Sequence, residues 1–119
     1  MRMITALVAA LALTVSAGSA AAQAGYPTKP VRVVVTTVPG PLDAFARAVL
    51  LQMQTRLKQP FVIDNKPGAG GNLGADIVAK APADGYTLLF ALDTTFTVNP
   101  ALYEKMPFDV AKDFAFIGV

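Results

Sequence analysis

The feature that most constrains the fold is a run without side-chain bulk, Asn65-Lys66-Pro67-Gly68-Ala69-Gly70-Gly71-Asn72-Leu73-Gly74. Three glycines and one proline fall within the five positions from Pro67 to Gly71. No helix or strand interior tolerates that density of breakers, because glycine costs backbone entropy and proline removes a donor. A strand-like run over residues 61–64 precedes it and a helix-like run over residues 72–81 follows. The spacing predicts a strand–loop–helix unit whose loop backbone is bare enough to approach a ligand. Unpaired N–H groups at the start of the following helix favour an anion in the same space.

The flanking segments extend this unit. Residues 31–36 read as a strand rich in β-branched residues, apolar on both faces apart from Arg32, as suits a sheet covered on both sides. Leu42, Phe45, Ala46, Val49, Leu50, Met53 and Leu57 recur at helical spacing and predict one amphipathic helix with a core-facing stripe. Asp43 lies in that helix's first turn, where a negative charge is favoured, and stands four residues before Arg47, a spacing that pairs them. Asn72 reads as an N-cap. Residues 87–91 predict a third strand, residues 92–97 a polar loop, residues 99–103 a short helix, and a fourth strand starts near Phe114. The order β-α-β-α-β-(short helix)-β predicts an α/β fold on a parallel sheet. Ligands of such sheets sit at the C-terminal ends of the strands. Three loops leave those ends, over residues 36–41, 65–72 and 92–97, and converge on one rim.

Composition removes several chemistries. The chain of 119 residues holds no cysteine and no histidine. Cys/His metal sites, Ser-His-Asp triads and Cys-His dyads are thereby excluded, and the sequence offers no metal site and no cofactor motif beyond a weak glycine pattern. Both serines, Ser16 and Ser19, lie near the N-terminus. An Asp-dependent hydrolase using Asp93 or Asp43 is the remaining enzymatic rival. Lys+Arg number 10 against 8 Asp+Glu, for a net charge of +2 without a basic run, so nucleic acid is not an expected partner.

Residues 1–22 read as a secretory signal peptide, with Arg2, an apolar stretch over residues 4–15 and small residues ending in Ala20-Ala21-Ala22. The expectation is a cleaved leader and a protein exported to a bacterial periplasm, monomeric, without disulfides or a lipid anchor. The apolar ending at Phe114-Ala115-Phe116-Ile117-Gly118-Val119 reads as an unpaired strand, which suggests a truncated domain and admits a fragment without function.

The series of motifs resembles one family. Tyr26-Pro27-Thr28-Lys29-Pro30-Val31-Arg32, then Pro39-Gly40 with Asp43 and Ala46-Arg47, lead to Asn65-Lys66-Pro67-Gly68-Ala69-Gly70-Gly71, the most specific block. Gly74-Ala75-Asp76, Asp84-Gly85-Tyr86-Thr87-Leu88-Leu89, Asn99-Pro100-Ala101-Leu102-Tyr103 and Lys112-Asp113-Phe114 follow in order. Together they resemble the N-terminal part of the Bug-type solute-binding proteins of tripartite tricarboxylate transporters. The resemblance implies the first, parallel-sheet lobe of a two-lobed periplasmic-binding-protein-like fold, with residues 23–119 forming part of that lobe and the second lobe absent. It implies capture of a small carboxylated solute and delivery to a membrane permease, with no enzymatic activity. The expected contacts are Thr36, Thr37, Val38, Pro39 and Gly40 from the first loop, Gly70, Gly71 and Asn72 from the second, and Asp93, Thr94 and Thr95 from the third. Asp93 stands where the family carries small neutral residues, and it repels a carboxylate unless it turns away or pairs.

Overall fold

The structure is a computed structural model that describes residues 25–118. The expected signal peptide lies outside the described residues. Three strands form one parallel sheet: β1 (Val31–Val35), β2 (Phe61–Asn65) and β3 (Thr87–Phe90), in the order β2-β1-β3. Helix α1 (Pro41–Leu57) links β1 to β2, and α2 (Asn72–Ala79) links β2 to β3. Two short helices follow, α3 (Thr94–Thr97) and α4 (Asn99–Leu102).

The central place of β1 explains its sequence. Its valines 31, 33, 34 and 35 are all buried, because strands flank it on both edges and helices cover both faces. Burying each valine contributes about 1.5 kcal/mol or more. Only Arg32 reaches solvent, where it pairs with Asp64 of the neighbouring strand. Val31 and Val33 form a cluster with Leu50 of α1 and Phe61 of β2, with Met53, Ile63, Leu88 and Phe90 packed around it. On the other face α2 comes close enough that a Cβ on Gly74 would stand 3.0 Å from the Lys66 carbonyl and 3.4 Å from Val34.

Helix α1 starts with Pro41 in the first turn, where its missing N–H costs nothing, and carries Asp43 there as well. It ends at Lys58, which adopts a left-handed conformation (φ 54°) and returns its N–H to the Gln54 carbonyl. Its apolar stripe is only partly core. Ala46 and Leu50 are buried, whereas Phe45 is 62% exposed and Val49 and Leu57 lie at the surface. Phe45 rests against Phe90 at 5.9 Å between ring centres.

Three expectations are corrected. Residues 92–97 are not an open loop, since Thr94–Thr97 closes a helical turn with Phe96 and Thr97 N–H groups bonded to the Asp93 carbonyl. No fourth strand forms at Phe114 among the described residues. Residues 114–118 pair with no strand there, and their aromatics pack on Phe96 and Phe108 instead. Phe96 meets Phe114 and Phe116 edge-on at 5.2 Å, and Phe108 meets Phe114 at 5.3 Å. Asn72 is the first helical residue of α2, and Gly71 takes the cap position.

Candidate functional site

Register brings the three loops level. Val35 of β1 stands beside Asn65 of β2 and Phe90 of β3, so all three strands end on one edge. β1 feeds α1 toward one side, and α2 returns across β1 to the other. The end of β1 is therefore the point where the chain's direction reverses, the usual place for a ligand in an open α/β sheet.

The first loop is held from beneath. Thr36 is buried, and its N–H extends the pairing with β3 by bonding to the Phe90 carbonyl at 3.2 Å. Asn65 Nδ2 donates to the Thr37 carbonyl and to Asp43 Oδ1, both at 2.9 Å. Asp43 also accepts from Arg47 Nε at 2.7 Å. The Arg47 guanidinium, followed by the Asn65 amide, holds the Asp43 carboxyl below the usual carboxylate range. Asp43 is thus an anionic brace joining α1, β2 and the first loop. Above the brace, the Thr37 hydroxyl is buried and has no hydrogen-bond partner among the described residues. Val38 and Pro39 lie exposed, with Gly40 half-buried.

The second loop is wound tightly. Gly70 and Gly71 sit at φ 64° and 94°, and Gly68 at φ 138°. Gly71 is buried where a Cβ would stand 2.5 Å from Thr95 Oγ1 and 3.3 Å from Thr36 Cβ. This glycine is the point where all three loops touch. Its N–H bonds back to the Gly68 carbonyl at 2.9 Å, and Leu73 N–H reaches the same oxygen at 3.4 Å. Asn72 N–H bonds to the Ala69 carbonyl. The first turn of α2 therefore spends these donors on its own loop. That leaves the N–H groups upstream of Gly71 as the donors on the loop surface.

The third segment closes the rim. Asp93 Oδ1 accepts from Thr94 N–H at 2.8 Å, so this acid turns onto its own backbone and caps α3. Thr95 is buried, and its hydroxyl donates to the Gly70 carbonyl at 3.3 Å. Thr94 is exposed.

The residues that hold this arrangement were not evident in the sequence. Asn99 is buried and donates through Nδ2 to the Gly70 carbonyl at 2.9 Å and to Asn72 Oδ1 at 2.8 Å. Asn65 and Asn99 carry no local signal for such roles. Asn99 before Pro100 reads as a helix start, and Asn65 as the margin of a loop. Both are long-range amide cross-links that appear only once β2, α1 and α4 are assembled.

A shallow groove of about 690 Å³ is lined by Phe96, Pro100, Met106, Phe108, Asp109 and Asp113, and its Met106 sulfur accepts from Asn72 Nδ2 at 3.7 Å. Hydrogen bonds from the Ala111 backbone, with help from Lys112, hold the Asp109 carboxyl below its usual range, so it is anionic at neutral pH. Asp109 is paired with Lys112 at 3.3 Å, and Asp113 accepts from the Asp109 N–H at 2.7 Å. On the loop rim Asp43 is paired with Arg47, while Asp93 is exposed and accepts from the Thr94 N–H.

Residues 45–119, more than half of the chain, match the family described as the tripartite tricarboxylate transporter family receptor. A UPF0065 protein of Bordetella pertussis is 41% identical over 104 residues, covering 87% of this chain and 32% of its own length. A structure described as that of a periplasmic transporter superposes with a TM-score of 0.70 at 46% identity, over 73% of this chain and 30% of that one. MatC of Rhodopseudomonas palustris, solved with bound malate, gives a TM-score of 0.70 at 40% identity, over 75% of this chain and 31% of its own. This chain spans about a third of the length of the relatives it matches. With the motif series in the same order and the parallel sheet in place, the chain belongs to the tripartite tricarboxylate transporter receptor family, whose members are the Bug-type solute-binding proteins.

Proposed function

We propose that this chain captures a small carboxylated solute in the periplasm for a tripartite tricarboxylate-type transporter. Residues 1–22 act as the export signal and residues 23–119 as part of the first lobe. The ligand contacts come from Thr36, Thr37, Val38, Pro39 and Gly40, from Gly70, Gly71 and Asn72, and from Asp93, Thr94 and Thr95. Among these, Gly71 and Thr95 act by closing the rim and Asp93 by capping α3. The observation that carries the reading is the convergence of the three loops on Gly71, with the first loop also carrying a buried Thr37 hydroxyl that has no partner among the described residues. A hydroxyl and bare backbone N–H groups orient a carboxylate without adding charge. The malate seen in MatC, 40% identical, makes a small dicarboxylate the leading solute class.

The reading is one of binding and not of turnover. The carboxyls of Asp43 and Asp93 are engaged, by Arg47 and Asn65 in one case and Thr94 in the other. Neither is poised for acid–base work, and the chain has no cysteine or histidine to partner it. Release to a membrane permease completes the role.

A thermal-shift screen tests the proposal, with malate and related dicarboxylates set against neutral diols and diamides of the same length. Binding to the folded state raises the midpoint as ligand concentration passes the dissociation constant. The expected result is a concentration-dependent rise with dicarboxylates alone. No rise across the set, or an equal rise with the neutral compounds, would overturn the carboxylate reading.

A further inference from the structure

Three polar atoms converge beside Gly70. A side-chain carbon at that residue would stand 3.2 Å from Asn99 Nδ2, 3.3 Å from the Tyr103 hydroxyl and 3.4 Å from Asn99 Oδ1. The Asn99 amide nitrogen is fully used, with one bond to the Gly70 carbonyl and one to Asn72. The Tyr103 hydroxyl is different. The Tyr26 hydroxyl donates to the Gly85 carbonyl and the Tyr86 hydroxyl accepts from Thr28 N–H, but that of Tyr103 forms no hydrogen bond among the described residues. The residue is 38% exposed, and its backbone is fixed by a bond from its N–H to the Asn99 carbonyl at 2.9 Å. A phenol hydroxyl is thereby held over the glycine turn with its donor uncommitted.

We propose that Tyr103 is a further solute contact, whose hydroxyl donates to a carboxylate oxygen seated against Gly70. The inference rests on the carboxylate reading of the rim and deepens it by adding a fourth segment to the binding wall. The hydroxyl supplies direction without charge, as the loop threonines do. It also accounts for glycine at position 70, where any side chain would enter the space shared by ligand and phenol. Asn99 is a positioning residue here, acting through the Gly70 peptide and not on the solute.

The test is calorimetric and NMR titration of the chain and its Tyr103→Phe variant with malate as the probe. Loss of one hydrogen bond to a charged group predicts a rise of about tenfold or more in the dissociation constant. The thermal midpoint without malate should stay unchanged, because the hydroxyl removed forms no hydrogen bond among the described residues. In the parent chain, malate should also shift the Tyr103 ring resonances, a readout independent of how the variant folds. Equal affinity in Tyr103→Phe, or ring resonances that do not move while malate binds, would overturn the Tyr103 assignment and leave the carboxylate reading standing. No binding of malate or any other dicarboxylate by the parent would overturn both.

Discussion

Gly71 shows how one residue can set a site. Its positive φ of 94° suits glycine alone, and the 2.5 Å approach to Thr95 leaves no room for a methyl group. Gly71→Ala therefore combines backbone strain with overpacking, and we expect a loss of about 2 kcal/mol or more in urea unfolding. Asp43 sets the site differently, through charge. Its carboxyl titrates below the ordinary range in the folded chain because Arg47 and Asn65 bond to the anion. Its contribution to stability is therefore fully present above the ordinary carboxylate range and is lost as pH falls through the lowered value. Asp64, paired with Arg32 and Lys66, shifts the same way. The thermal midpoint should fall on acidification below about pH 4. In Asp43→Asn that fall should be shallower, and midpoints measured from pH 7 to pH 3 would check it.

At the level of elements, the glycine turn is fixed by α4, a helix of one turn whose residue Asn99 holds the Gly70 carbonyl. Asn99→Ala leaves the Gly70 carbonyl with only the longer bond from Thr95, and leaves the buried Asn72 without its amide partner. We expect a loss of roughly 1–3 kcal/mol and faster hydrogen exchange at Gly71, whose N–H closes the same turn. Exchange confined to distant elements would contradict that linkage. The sheet and its two long helices were legible in the sequence because each writes a periodic pattern: β-branched runs at β1 and β2, and a helical stripe from Leu42 to Leu57. The helical turn at Thr94–Thr97 was not legible, because four successive residues show no period and threonine favours strands. The apolar run from Phe114 suggested a strand for the same local reason. A strand needs a partner edge, however, and these residues meet an aromatic cluster instead. The loop convergence was legible from topology, but its fastenings were not. Asn65, Asn99 and Tyr103 act across 22 to 33 positions of sequence, from Asn65 to Asp43 and from Tyr103 to Gly70.

The molecule as a whole divides into a sheet-centred part and an aromatic tail. Segment 104–118 carries no helix or strand, and Phe108 is its buried residue, ringed by Phe96 and Phe114. Phe108→Ala should cost about 3 kcal/mol of local packing and open this segment first. Limited trypsin digestion would then cut at Lys105 and Lys112 while the sheet persists; equal loss of the sheet would show that the two parts are one cooperative unit. Exposed Phe45, Val49, Phe116 and Ile117 give the molecule more apolar surface than its core alone explains. They lie on a chain spanning about a third of its relatives' length. The loop rim stands apart from that surface in chemistry, being polar and glycine-rich, with the exposed Asp93 turned onto the Thr94 N–H. The most direct test of its role is a two-dimensional ¹⁵N–¹H NMR titration of the chain with malate. Shifts should concentrate at residues 36–40, 68–72 and 93–95 and saturate together with one dissociation constant. Shifts confined to other surfaces, or none at millimolar malate, would contradict the assignment of this rim as a carboxylate-binding wall.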